Sequence, residues 1–425
     1  MLKRNLAANL IGTIWSGVAA FALVPVYVRF AGIEAYGLVA FQATLQALLL
    51  LLDAGFSTAV NREIAVLSAG RESASEVRTI IRSAGVFYWA VAAAAGLVLA
   101  ASAPLIATRW LHAEHLAPQT MTTAVRLMAA ALAFQFPYSL YSGAMLGLQR
   151  HVALNAVLVT ATTVRAVGGI AIIAVSHDVV LFFAWQVVGA LLQTAGAAIA
   201  LHRALPPAPS RFDPASLRRT RAFAGGMALI TVLAAAETQI DKLTVSKLLP
   251  LETFGAYGLA ASLAAVLVMI AVPVGVSAFP RFSQLAAAGA SSELALAYRH
   301  ASQVVAVMVL PAAFVLAFFA REIVFLWTGN AALAATARPI VVFLVLGSAC
   351  NGLVNIPYMV QLAYGWTLPA IVLNALAIAV LLPLLPVAVR AFGAPGAAAT
   401  WLAVNLVFLV TGIILTHRRL LHGAQ

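Results

Sequence analysis

The chain is 425 residues long, 63% hydrophobic and only 9% charged, with a mean hydropathy of +1.01. That composition excludes a soluble globular domain and places the protein in a bilayer. A net charge of +12 would suit nucleic-acid binding, but the positions of the basic residues assign them to membrane topology instead.

In chain order, apolar runs of about 20 residues recur between short polar breaks, each long enough to cross roughly 30 Å of hydrocarbon. They fall at 9–28, 35–58, 80–103, 122–145, 153–175 and 179–201, then at 222–246, 258–278, 301–320, 337–361, 368–390 and 397–416. None alternates as a barrel strand does, so the predicted fold class is an all-α polytopic membrane protein of about twelve transmembrane helices. The polar break at 202–221 holds Pro206, Pro207, Pro209 and Pro214 among five arginines and cannot continue a helix. It reads as a cytoplasmic Pro/Arg linker (204–220) between an N-terminal six-helix bundle (1–203) and a C-terminal one (221–425); a proline-rich docking motif is the other reading. Six spans is an even number, so both halves have the same orientation and are expected to be related by a pseudo-two-fold axis along the membrane normal. Pro25, Pro137, Pro273, Pro357, Pro369 and Pro383 interrupt spans, either as packing kinks or as hinges.

An internal repeat supports two halves. Glu34-Ala35-Tyr36-Gly37-Leu38-Val39-Ala40 and Gly255-Ala256-Tyr257-Gly258-Leu259-Ala260-Ala261 stand 221 residues apart, and Arg62 and Arg281 form a second echo in step. A membrane protein built twice from one unit is the pattern of a transporter.

With the amino terminus placed in the cytoplasm, 16 of the 25 Lys and Arg fall in inner segments, among them Arg62, Arg71, Arg78, Arg82, Arg150, Arg281 and the linker arginines. That bias directs both termini inward. Lys3 and Arg4 ahead of an apolar run resemble a signal peptide, but the run continues to Arg29 without a small-residue cleavage site, which predicts an uncleaved first helix. Cys350 is the one cysteine, so no disulfide framework or cysteine metal cluster can form, and the histidines show no ligand spacing. No phosphate-binding glycine loop, zinc motif or nucleophile elbow occurs, and neither metal nor cofactor is expected.

Charges within spans are the most informative residues, because each costs about 2.5–3.5 kcal/mol at mid-helix. Arg165 lies near the middle of the fifth span. It requires either a water-filled cavity, as an anion site, or a carboxylate partner, as a structural residue. In the second span Gln42, Gln46, Asp53 and Ser57 project within an arc of about 60°, a polar stripe that is either a cavity wall or a set of interhelical hydrogen bonds. Glu237, Asp241 and Thr244 share a face of the seventh span at spacings of four and three. Two carboxylates one turn apart in low dielectric favour a bound proton or cation, a structural ion pair, or snorkelling to the outer leaflet. Lys242 points about 100° from Asp241, so a partner is sought on another helix. Asn351, Asn355 and Tyr358 share a face of the tenth span, as packing residues do.

Several phrases in order resemble the polysaccharide and O-antigen flippases of the multidrug/oligosaccharidyl-lipid/polysaccharide exporter superfamily. They are Ala31-Gly32-Ile33-Glu34-Ala35-Tyr36-Gly37-Leu38, Asp53-Ala54-Gly55-Phe56 leading to Asn61-Arg62-Glu63, Leu146-Gly147-Leu148-Gln149-Arg150, and Leu249-Pro250 through Gly258. Phe279-Pro280-Arg281-Phe282-Ser283, Leu326-Trp327-Thr328-Gly329 and Phe392-Gly393-Ala394-Pro395-Gly396-Ala397-Ala398 continue them. The resemblance covers almost the whole chain and rests on order and spacing.

It implies a V-shaped pair of six-helix bundles that moves an undecaprenyl-diphosphate-linked oligosaccharide across the inner membrane by alternating access. Partners implied are that lipid-linked substrate, the bilayer, and the polysaccharide polymerase and chain-length machinery. In that scheme Arg165, with Arg62 and Arg281 near the inner mouth, engages the diphosphate. Asp53, Gln42 and Gln46 contact sugar, and Glu237, Asp241 and Asp53 couple to ions.

Two relatives and one enzyme class compete with this reading. Lipid II flippases resemble this plan but usually carry two further helices and arginines within helices one, two and eight, and the first and eighth spans here have none in their interiors. Multidrug antiporters share the two-bundle plan and use membrane carboxylates, so a cation-coupled multidrug exporter is the alternative. A membrane glycosyltransferase or polymerase generally presents a sizeable outer loop with acidic or arginine motifs. The longest outer segment here, 104–121, offers Arg109, His112, Glu114 and His115 alone, so the protein is not expected to be an enzyme.

Overall fold

The computed structural model describes residues 2–53, 55–69 and 74–420. Arg71 lies outside them, as do the side chains of Lys3, Arg4, Arg218, Arg219 and Arg221. Helices, joined by short turns and the segment 205–213, make up the described residues, with no strand among them. The helices are α1 (Leu2–Asp53), α2 (Phe56–Ala69), α3 (Ala74–Leu105), α4 (Pro118–Gly147), α5 (His151–Ser176), α6 (Val179–Ala204) and α7 (Pro214–Leu248). They continue as α8 (Leu251–Ala287), α9 (Ser291–Phe318), α10 (Ala320–Thr328), α11 (Ala331–Ala363) and α12 (Leu368–Leu420). A π-helical turn, Ile106–Trp110, extends α3.

These twelve helices do not map one to one onto the twelve apolar runs. At 1.5 Å per residue, the 52 residues of α1 and 53 of α12 would each extend about 80 Å if straight, far beyond the roughly 30 Å of hydrocarbon. Each holds two spans and bends at one glycine: Gly32 (φ 85°, ψ 164°) and Gly393 (φ 66°, ψ −151°). Both lie in a region open essentially to glycine alone. The second span is interrupted near its end, where Gly55 at φ 77° separates α1 from α2. Asp53 therefore closes one helix and Ser57 opens the next, and the single 100° projection that joined them to Gln42 and Gln46 holds only as far as Asp53. The ninth run lies almost entirely within α9, the short α10 forms in the break that follows it, and the remaining runs each give one helix.

Eight helices among the described residues are long and apolar enough to cross a membrane. Their outward faces carry large side chains such as Val175, Phe392, Val307 and Leu97, exposed by 71–84%. An apolar surface of that extent belongs in lipid rather than water.

Packing divides the chain into two compact units, Met1–Ala235 and Ala236–Gln425. In the first, α4 packs against α2, α3 and α6, and α5 against α1 and α6. Tyr88 stacks on Phe136 with ring centroids 5.0 Å apart, inside a cluster with Val60, Ile64, Ile80 and Leu140. Gly143 and Gly147 let α4 approach α2 closely: a Cβ on either would lie 2.6 Å from the carbonyl oxygen of Ser57 or of Asn61. This is the small-residue spacing that membrane helices use for close crossings. In the second unit α11 packs against α8, α9 and α12 around Tyr257, Leu263, Leu267, Val341 and Ile356. Asn351 donates to Asn405 at 2.8 Å and Gln361 to Thr416 at 3.0 Å, so side-chain amides join α11 to α12.

Glu34, from the repeated phrase, has a structural task in the first unit. Its carboxylate accepts the backbone N–H groups of Glu114 and His115, pinning the segment before α4 to α1.

Candidate substrate site

Arg165 sits at mid-length of α5, against α6. Trp185 on α6 fixes the register of the pair: its indole N–H faces the carbonyls of Val164 and Arg165, both at 3.3 Å, and Gly168 leaves room for the ring. Three further α6 residues accommodate the arginine. Gln186, Gly189 and Gln193, at spacings of three and four, lie on one face. Arg165 Nε donates to Gln186 Oε1 at 2.9 Å and one Nη to Gln193 Oε1 at 3.4 Å. A Cβ at Gly189 would overlap the arginine's Cγ and Cδ, so only glycine lets the side chain lie flat across α6. Tyr27 of α1, set edge-on to Phe182 at 5.1 Å, is a further polar group in electrostatic reach.

What these partners lack is negative charge. Among the described residues no carboxylate lies within 4 Å of the guanidinium. Neutral amides orient the cation and leave its charge in place. Three of its five N–H groups remain for a ligand, and a planar fork of that kind suits phosphate oxygens.

Asp53 is in a different setting. Its carboxylate accepts the hydroxyls of Tyr88 and of Ser57 (2.8 Å), the Ser57 backbone N–H (3.4 Å) and the Ser139 hydroxyl (3.3 Å). Residues of α2, α3 and α4 thus converge on the end of α1, and the negative charge stands at the N-terminal end of α2, where the helix dipole favours it. Gln42 is buried and Gln46 half-buried; neither side chain has a hydrogen bond among the described residues.

On α7, Glu237 and Asp241 are both buried at 4% exposure. Tyr257 of α8 donates to Asp241 Oδ2 at 2.6 Å, a partner from another helix, as the spacing predicts. Lys242, expected to point away, also turns back: its long stem brings Nζ to 3.3 Å from Asp241 Oδ1 and 2.7 Å from the Thr238 carbonyl. Glu237 Oε1 is buried with no hydrogen-bond partner among the described residues. Thr244 donates to its own helix at Ile240, away from the pair.

Arg62 is exposed on α2. Arg281 is exposed on α8 and pairs with Glu293 at 3.1 Å. Within the first unit, no hydrogen bond joins Arg165 to Asp53 among the described residues. Residues that sequence reasoning passed over are Gln186, Gly189, Gln193, Tyr88 and Ser139. The one available signal for the α6 residues was that Gln186 and Gln193 share a face at a spacing of seven; nothing in the sequence marked Tyr88 or Ser139 as neighbours of Asp53.

The fold built by these helices is that of the transporters and flippases of the MOP superfamily. An inward-facing multidrug resistance MATE family transporter of that superfamily superposes with a TM-score of 0.75 at 12% identity, covering 95% of this chain and 94% of its own. The inward closed lipid II flippase MurJ gives 0.77 at 11% identity, covering 97% and 90%. A MOP superfamily transporter from Pyrococcus furiosus gives 0.55 at 14%, covering 98% and 93%. No curated protein sequence matches the chain. The sequence model of the polysaccharide biosynthesis proteins matches residues 2–286, two thirds of the length, and that of MatE matches 227–387. The chain belongs to the polysaccharide biosynthesis protein family.

Proposed function

We propose that the protein is a flippase that carries an undecaprenyl-diphosphate-linked oligosaccharide across the inner membrane, by alternating access, for surface polysaccharide such as O-antigen, capsule or exopolysaccharide. The single observation that carries this reading is Arg165, a cation at mid-helix held by Gln186 and Gln193 without a counter-ion among the described residues. An uncompensated charge in low dielectric is costly, and a bound diphosphate would neutralise it while the polyprenyl tail stays in lipid. Family membership supports polysaccharide as the cargo class. Arg62 and Arg281 receive the diphosphate at the inner mouth. The exposed Arg281–Glu293 pair is worth about 0–1 kcal/mol, so phosphate oxygens can displace Glu293. Asp53, Gln42 and Gln46 face sugar, and Glu237 and Asp241 couple to a cation. Both termini are cytoplasmic, and a polymerase with its chain-length machinery takes the product. No chemistry on the glycan is assigned to the protein.

The test compares lipid extracts of deletion and parent strains. The reading requires a polyprenyl-linked oligosaccharide to accumulate facing the cytoplasm, and Arg165→Ala to reproduce that accumulation at equal protein level. Unchanged extracts in the deletion strain refute it.

A second reading, a cation-coupled multidrug exporter, draws on the MatE match over 227–387 and on Glu237 Oε1 within it, which has no hydrogen-bond partner among the described residues. Ion-dependent dye efflux with normal surface glycan in the deletion strain would favour it.

A further inference from the structure

A second basic site lies in the first unit and does not rest on the Arg165 reading. A cavity of about 250 Å³ opens beside one stripe of α3 formed by Arg78, Arg82, Gly85 and Trp89, with Tyr141 of α4 and His202 of α6 completing its wall. None of its lining residues is acidic. Both arginines are anchored to the chain that follows α6. Arg78 Nε donates to the Pro206 carbonyl at 2.8 Å and an Nη to that of Leu205 at 2.9 Å; Arg82 donates to the Ser210 carbonyl at 2.8 Å. Ser75 and Ser83 hold the same segment, donating to the Pro209 carbonyl and accepting the Asp213 N–H at 2.9 and 2.8 Å.

Each anchoring acceptor is a neutral carbonyl, so two positive charges remain at one wall with no carboxylate within 4 Å among the described residues. Of five N–H donors per guanidinium, Arg78 uses two and Arg82 one, leaving most of them for a ligand. His202 Nδ1 is engaged with the Ala198 carbonyl at 2.7 Å, which leaves Nε2 available. Because the guanidiniums are already held in place, a ligand orders little side chain on binding. Volume narrows the ligand further. Small-molecule pockets run about 300–1,000 Å³, so this cavity matches a phosphate with a glycerol or one ring rather than a whole oligosaccharide. Trp89, half in the wall and partly exposed, donates to the Tyr141 hydroxyl at 3.1 Å, and such amphipathic rings favour the headgroup level of a bilayer.

We propose that the Arg78/Arg82/Trp89 cavity binds a phosphate ester of headgroup size, either on an anionic lipid or as a free soluble ester, and that the bound phosphate clamps the segment 205–213 onto α3. The full-length protein, purified in uncharged detergent, is titrated with dihexanoyl phosphatidylglycerol, glycerol 3-phosphate and dihexanoyl phosphatidylcholine while its melting temperature is followed. The expected result is a saturable rise of roughly 5–10 °C at a hundredfold excess over Kd with the anionic lipid, and little with phosphatidylcholine. A matching rise with glycerol 3-phosphate assigns the site to soluble esters, and its absence assigns it to lipid.

Arg82→Gln should abolish the shift. Since Arg82 also holds the linker, Gly85→Leu provides a control that leaves every arginine bond in place: nothing lies within 4 Å of a Cβ there, so the side chain fills the cavity. Arg165→Gln should retain the shift, which separates this site from the substrate site. No rise with either anionic probe, or a rise that survives Gly85→Leu, overturns the proposal.

Discussion

Replacing Arg165 with methionine separates a substrate-binding cation from a structural brace. The substitution removes the hydrogen bonds to Gln186 (2.9 Å) and Gln193 (3.4 Å). Two buried amide oxygens then lose a donor, at about 1–3 kcal/mol each, with the longer bond at the low end. Against that loss stands relief of an ion in low dielectric, a penalty of several kcal/mol when no counter-ion is present. The terms nearly cancel, so stability should change by no more than about 2 kcal/mol. For a unit of this size that is a melting-temperature change within about 8 °C in either direction. Export should nevertheless fail. The assay pairs thermal unfolding of the purified variant with surface glycan in a deletion strain complemented to equal protein level. Arg165→Lys sharpens the result: Gln186 and Gln193 stand seven residues, about 10 Å, apart along α6, and one ammonium cannot replace a fork oriented by both. Wild-type glycan from Arg165→Met, or loss of glycan only because the protein unfolds, refutes the reasoning.

Other perturbations test the framework. Gly143→Val sets a Cβ 2.6 Å from the Ser57 carbonyl and should cost about 1–3 kcal/mol through overpacking, whereas Gly85→Ala, with open space, should be neutral or slightly stabilising; thermal unfolding compares them directly. Gly32→Ala meets no neighbour within 4 Å, yet should still lose about 1–3 kcal/mol because its backbone region excludes a Cβ-bearing residue; full stability would show that the bend relocates. Tyr257→Phe deprives Asp241 of its 2.6 Å donor and should cost about 1.5–3 kcal/mol. Tyr88→Phe should cost less, since Ser57 and Ser139 still serve Asp53.

Much of the fold was legible because crossing a bilayer demands long apolar runs, and those runs predicted the helices of both units. Local backbone events were not legible. Gly32 and Gly393 look like other loop glycines, and only coordinates show that helix continues on both sides of each, or that Gly55 splits the second span at the point where Asp53 turns toward Tyr88. The charge at Arg165 announced itself through its cost in lipid. Its partners did not, because glutamines in an apolar run carry no charge penalty and the glycine between them reads as packing. Lys242 shows the limit of a helical wheel: the projection gives the direction of Cβ, and a four-carbon stem can return to the neighbouring residue.

Transbilayer movement of a fluorescent, short-chain polyprenyl-diphosphate oligosaccharide in vesicles containing the purified protein tests the central claim most directly. The account predicts movement with the wild type, a rate at least about tenfold lower with Arg165→Met, a loss of roughly 1.4 kcal/mol or more, and little competition from a neutral polyprenyl glycan. Equal rates for the two proteins, or transport of the neutral glycan as fast as the diphosphate, would contradict it.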